Sequence, residues 1–235
     1  MNEFEEGKDP AEPLAKAGFA YDAGLFGEMA KLLMGELSRD HKITEQLARL
    51  SEMCLHRVLT ALRLLMRKSS EFPEERVGDF LREYVLEKLQ EDIKPLFAFK
   101  DVVEARLISG KQLDGYSLVF LHKTRGDLAR YLAEFCVDVR FAYIDTAAKA
   151  YAEASDFAET ALRANDPLRL GLALNFAVFK HSMLNETGQA LKILERLFAG
   201  IKKEDAEGTQ PMPEKSWKIL KVIKQNIEEW SAKPK

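Results

Sequence analysis

Apolar residues recur every three to four positions along almost the whole chain. That is the period of a helix with one buried face. No segment sustains two-residue alternation between turn signals, so the spacing predicts an all-α protein without strands. A weak amphipathic stretch over Leu14 to Leu25 is interrupted by Gly18 and Gly24. Helices are expected over 26–37 and 45–68, the second capped by Thr44. Ser69 to Pro73 should break the chain before a helix over 75–94, which Pro95 bends or stops; helix-compatible sequence continues to Ile108. Turn signals at Gly110 and Asp114-Gly115 precede helices over 116–136 and 141–163.

Asp166-Pro167 is a strong start signal, with Asp as cap and Pro in the first turn of a helix reaching Leu184. Asn185 opens a further helix ending near Gly200, Lys203 to Met212 reads as a polar loop, and Pro213 starts a last helix ending near Trp230. About nine helices joined by short loops favour antiparallel neighbours. No stretch rich in Gly, Ser or Pro divides them. The expected organisation is a flexible acidic tail over 1–12 and a single helical domain over 13–232.

Composition narrows the function. Of 235 residues, 46% are hydrophobic, enough for a sizeable core. A net charge of −3 argues against a whole-surface nucleic-acid binder. Cys54 and Cys136 both sit in apolar helical patterns, which fits a reduced cytosolic setting better than a disulfide. No apolar run approaches the ~20 residues of a membrane span. The opening MNEFEEGKDPAEP is acidic and polar, unlike a signal or transit peptide. These features point to a cytoplasmic protein with neither a membrane nor a nucleic-acid partner.

Four helices carry candidate site residues. His56, Arg63 and Arg67 fall at i, i+7 and i+11, one basic stripe that is either a solvated face or an anion site. Lys123, Asp127, Arg130, Tyr131 and Glu134 form a polar stripe beside Leu121, Leu128, Leu132 and Phe135. Arg130 and Tyr131 suit a phosphate, since a guanidinium fork and a phenol supply convergent donors. Equally, Asp127, Arg130 and Glu134 fit an internal salt-bridge ladder. Asn175 sits beside Leu174 and Val178, where an amide could hold an extended backbone or be tied to a neighbouring helix. The last helix repeats this pattern with Ile219, Val222, Asn226 and Trp230. One basic wall and one apolar wall with two amides would bind an extended phosphorylated peptide.

Catalysis is not expected. His41, His56, His122 and His181 lack metal-site spacing, no Gly-rich loop follows a strand, and no GxSxG elbow occurs. Gly171, inside a helical run, reads as a site of close helix packing. No cofactor or metal is implied.

At these residues the chain resembles the 14-3-3 family. RGDLARYLAEF looks like that family's fifth-helix signature, DPLRLGLALNFAVF like its seventh-helix signature, and the ending NIEEW like its ninth helix. The clear match covers about 116–232. The resemblance implies a single cup of nine antiparallel helices with an amphipathic groove, a dimer through the N-terminal helices, and binding of phosphoserine or phosphothreonine segments in client proteins. It places the phosphate on Arg63, Arg130 and Tyr131 and the peptide backbone on Asn175 and Asn226. Lys123, Leu174, Val178, Ile219, Val222 and Trp230 would line the groove.

The departures have consequences. His56 stands where the family's phosphate pocket has a lysine. A neutral imidazole adds a donor without charge, so phosphopeptide binding should tighten nearer pH 6. Ser182 replaces an acidic groove residue, and Leu25 replaces an arginine of a dimer salt bridge, while Glu28 keeps its acidic character. A dimer is therefore expected, weakened or altered. The chain stops at Lys233-Pro234-Lys235 without the family's acidic tail, although Glu3, Glu5 and Glu6 could fill the groove from the other end. Two other readings remain: a tetratricopeptide-like scaffold, and a family member that has lost phosphate recognition.

Overall fold

The computed structural model describes residues 11–70, 76–206 and 212–232. Among the described residues there are nine α-helices and no strands. They are α1 (Ala11–Asp22), α2 (Phe26–Leu37), α3 (Glu45–Ser70), α4 (Arg76–Ser109), α5 (Gly115–Phe135), α6 (Arg140–Ala161), α7 (Pro167–Ser182), α8 (Thr187–Ala206) and α9 (Glu214–Ser231). A 3₁₀ turn, Val137–Val139, links α5 to α6. Most of the expected tail, the end of the break after Ser70 and half of the polar loop over 203–212 lie outside the described residues. The contacts group the chain into two compact units, 1–112 and 113–235. No described helix is long and apolar enough to cross a membrane.

The first unit holds α1 to α4. Its core is built from Met29, Leu33 and Leu37 of α2, Leu47, Leu55 and Leu62 of α3, and Leu96, Phe99 and Val103 of α4. Gly24 takes a positive φ of 74°. There the Leu25 amide donates to the Ala20 carbonyl and the Gly24 amide to Tyr21, so α1 ends in a Schellman turn three residues before the end the spacing predicts. Thr44 accepts from the Leu47 amide at 3.2 Å and caps α3 as expected. Pro95 neither ends nor divides α4. One lost backbone hydrogen bond is tolerated because Leu96, Phe99 and Val103, at i, i+3 and i+7, are fully buried and anchor the distal half. Buried Arg106 then ties the end of α4 to the loop before α3, donating to Asp40 and to the His41 carbonyl, both at 2.9 Å.

The second unit holds α5 to α9. Asp114 caps α5, accepting from the Ser117 amide at 2.9 Å and its hydroxyl at 2.8 Å. Asp166 caps α7 through the Leu168 amide at 2.8 Å, with Pro167 in the first turn as predicted. Asn185 adopts φ 56° rather than opening a helix, because α8 begins only at Thr187. Helix α8 also runs to Ala206, past the expected end, its apolar stripe of Ala190, Leu194, Leu197 and Ile201 packing with Leu170, Ala177, Leu220 and Ile223.

Glycine governs how closely α5 and α6 pack. A Cβ on Gly126 would meet the Tyr151 ring at 2.8 Å, and one on Gly115 would meet the Ala161 Cβ at 2.5 Å. Gly171 is different: its nearest neighbour would be the Lys123 Cε at 3.7 Å, an ordinary contact. The close approach expected at Gly171 is thus found at Gly126. Gly126→Ala is expected to lower stability. Overpacking costs about 1–3 kcal/mol, against the ~1 kcal/mol that alanine gains over glycine in a helix. A urea midpoint at or above wild type would show that Tyr151 can move aside.

Candidate functional site

The centre of the polar cluster in the second unit is Asp127, buried on α5. Its Oδ2 accepts from the Lys123 ammonium at 2.9 Å, one helical turn earlier. Its Oδ1 accepts from the Tyr151 hydroxyl on α6 at 2.6 Å and from the Asn175 amide on α7 at 2.8 Å. One carboxylate thus pins three helices at the level of Arg130. Burial alone would push this carboxyl up. The charges of Lys123 and Arg130, with the hydrogen bonds from Tyr151 and Lys123, outweigh burial and hold it below the usual carboxylate range. Burial and the adjacent Asp127 charge push the Tyr151 phenol well above its usual value, so it stays a donor.

A depressed folded-state value fixes the sign of the pH dependence. Asp127 contributes stability above its unfolded value of ~3.9, and that contribution is lost as pH falls through the lower folded value. Urea unfolding should show this loss below about pH 4, and more weakly in Asp127→Asn. Equal acid slopes in the two proteins would contradict the assignment.

Arg130 is aimed by the same network. Its Nε donates to the Tyr151 oxygen at 3.2 Å. Its Cζ lies 4.5 Å from the centroid of the Tyr131 ring, a cation–π contact. The terminal nitrogens sit 3.8 Å from Asp127 and 3.9 Å from Glu134. The predicted ladder therefore exists, but at ion-pair range rather than hydrogen-bond range. The guanidinium is oriented through Nε and Tyr131 while its terminal N–H groups are held only by charge. Arg130's side chain is only 12% exposed, so an anion reaching it meets a partly desolvated cation.

The remaining predicted residues fall into three groups. His56 and Arg63 are exposed on α3 in the first unit. Lys123 is buried and spends its charge on Asp127. Asn175 is tied to the neighbouring helix, the plainer of its two readings, through one of its two amide hydrogens. On the wall formed by α7 and α9, Leu174, Ile219 and Trp230 are half-buried against the core, as is Ile227. Val178 and Asn226 are half-buried, and Val222 is 45% exposed. Sequence reasoning missed two members of this region. Tyr151 reads as one more apolar-face residue of α6, yet it joins Asp127 to Arg130. His181 stacks on Trp230 with centroids 4.5 Å apart and lies 3.0 Å from the Thr187 hydroxyl, fixing the indole against α7. Ser182, beside it, is exposed at the end of α7. Among the described residues no cluster of His, Cys, Asp and Glu could hold a metal ion.

Comparison with known proteins places the whole chain among relatives. The 14-3-3 protein family model matches residues 16–231. A 14-3-3 family protein of Aspergillus flavus is 31% identical over 234 residues, covering 96% of this chain and 97% of that protein. A 14-3-3 protein homolog of Candida albicans is 31% identical, covering 92% of this chain and 84% of that one. A checkpoint signal transducer of Schizosaccharomyces pombe is 29% identical, covering 92% and 83%. A single family model thus spans both units, including the N-terminal half whose motifs are weakest, and the chain belongs to the 14-3-3 family, whose members are adaptors rather than enzymes.

Proposed function

We propose that this protein is a phosphoserine- and phosphothreonine-binding adaptor that docks phosphorylated client segments and regulates them without catalysis. The observation that carries this reading is the setting of Arg130. Its Nε is committed to Tyr151 and its face to Tyr131, and its terminal nitrogens are left without a close hydrogen bond to either flanking carboxylate. A planar fork held in this way suits a phosphate dianion better than a solvated lysine would. Asn175 and Asn226 are the proposed backbone holders, and Leu174, Val178, Ile219, Val222 and Trp230 the apolar wall. Arg63 and His56 join the phosphate set on the strength of the family pattern. The proposed assembly is a cytoplasmic homodimer through the N-terminal helices. Phe19, 72% exposed, and Leu25, 48% exposed, offer apolar surface for it. Two linked sites would add avidity for doubly phosphorylated clients.

The test is calorimetric titration with an Arg-rich phosphoserine peptide and its unphosphorylated twin. The phosphorylated form should bind at least about thirtyfold more tightly, as charge-assisted contacts to one phosphate require. Equal affinity would replace this reading with a phosphate-independent scaffold. The substitution of His56 for a lysine and the commitment of Lys123 to Asp127 are the observations that favour that alternative.

A further inference from the structure

Helix α7 has two working faces. Gly171, Leu174, Asn175 and Val178 lie on the face described above. Arg169, Leu172, Ala173 and Phe176, at i, i+3, i+4 and i+7, form the opposite one. Against that second face, between α6, α7 and α8, lies a half-open pocket of about 140 Å³. Its space exists because Ala158 and Ala173 are small, and its walls are Leu172, Phe176, Ile193 and Leu197. An apolar cavity of about 150 Å³ accepts a benzene-sized group.

The rim is charged. Arg169 is anchored by a hydrogen bond from Nη1 to the Leu162 carbonyl at 2.8 Å, one of the five N–H groups a guanidinium offers. Arg196 pairs with Glu159 at 2.5 Å. Two guanidinium charges against one carboxylate leave the rim net positive. A half-open, mainly apolar pocket of one-ring size under a cationic lip matches an amphiphilic anion. We propose that this cavity is a second binding site for a small carboxylic acid bearing one benzene-sized apolar group, its carboxylate on Arg169 and Arg196. The site stands on α6, α7 and α8 alone and does not depend on the phosphopeptide reading.

The test is a ¹H–¹⁵N NMR titration of the full chain with sodium phenylacetate and with phenylacetamide, its neutral counterpart. Saturable shifts are expected for amides of α6, α7 and α8, with a Kd on the order of millimolar for a ligand of roughly ten heavy atoms. Phenylacetamide should bind about tenfold more weakly, and Arg169→Gln should weaken phenylacetate by a similar factor. Ala173→Leu, which fills the chamber, should abolish binding. Arg169→Gln, at the rim, keeps the test decisive if that core variant misfolds. Absence of saturable shifts, equal affinity for acid and amide, or unchanged binding by Arg169→Gln would each overturn the proposal.

Discussion

Asp127→Ala is expected to lower the unfolding free energy of the second unit by about 3–5 kcal/mol, the cost typical of leaving one partner of a buried ion pair uncompensated. The carboxylate serves three donors, so its loss strands the Lys123 ammonium, the Tyr151 hydroxyl and the Asn175 amide together. Lys123 is the expensive one, because it is buried and its ammonium is paired with the Asp127 carboxylate. Asp127→Asn should cost less, since an amide oxygen still accepts from Tyr151 while the charge opposite Lys123 is gone. Both tryptophans of the chain, Trp217 and Trp230, lie in the second unit. Urea unfolding followed by their fluorescence therefore reads this unit directly. A loss below about 1 kcal/mol for Asp127→Ala would mean that the cluster is hydrated and does not hold α5, α6 and α7 together.

The second large effect is on binding. Arg130→Ala should weaken a phosphoserine peptide by at least about 2 kcal/mol, or roughly 30-fold, as for a charge-assisted pair in a partly desolvated site. It should leave the unphosphorylated twin almost unaffected. Tyr131→Phe should cost much less, because it keeps the ring that Arg130 stacks on and removes only the hydroxyl. A general loss for both peptides would instead indicate that Arg130→Ala disturbs the Tyr151–Asp127 contact, and the unfolding curves would reveal that separately.

Much of the fold was legible because the apolar period repeats with strong punctuation. Helix α2 runs over the predicted residues at both ends, and the Asp166-Pro167 start of α7 is where local chemistry places it. The misses are places where tertiary contact overrides local signals. Of the two outcomes open at Pro95, a bend or a stop, the stop does not occur, because the buried Leu96, Phe99 and Val103 carry α4 past it. Asn185 carries the signature of a helix start, yet it takes a left-handed turn before α8. At the site, the stripe of Asp127, Arg130 and Glu134 was visible because its members are three and four residues apart. Tyr151 and Asn175 were not joined to it, since they meet Asp127 from 24 and 48 residues away. The weight of Gly126 was equally hidden, because only the facing ring on α6 makes its missing side chain necessary.

The central claim is that Arg130 reads a phosphate, and one ratio tests it: affinity for the phosphoserine peptide over affinity for its unphosphorylated twin, measured by fluorescence anisotropy on wild type and Arg130→Ala. The account predicts a ratio of at least about thirty in wild type that collapses to about one in the variant. A ratio near one in wild type, or a ratio that survives Arg130→Ala, would contradict it.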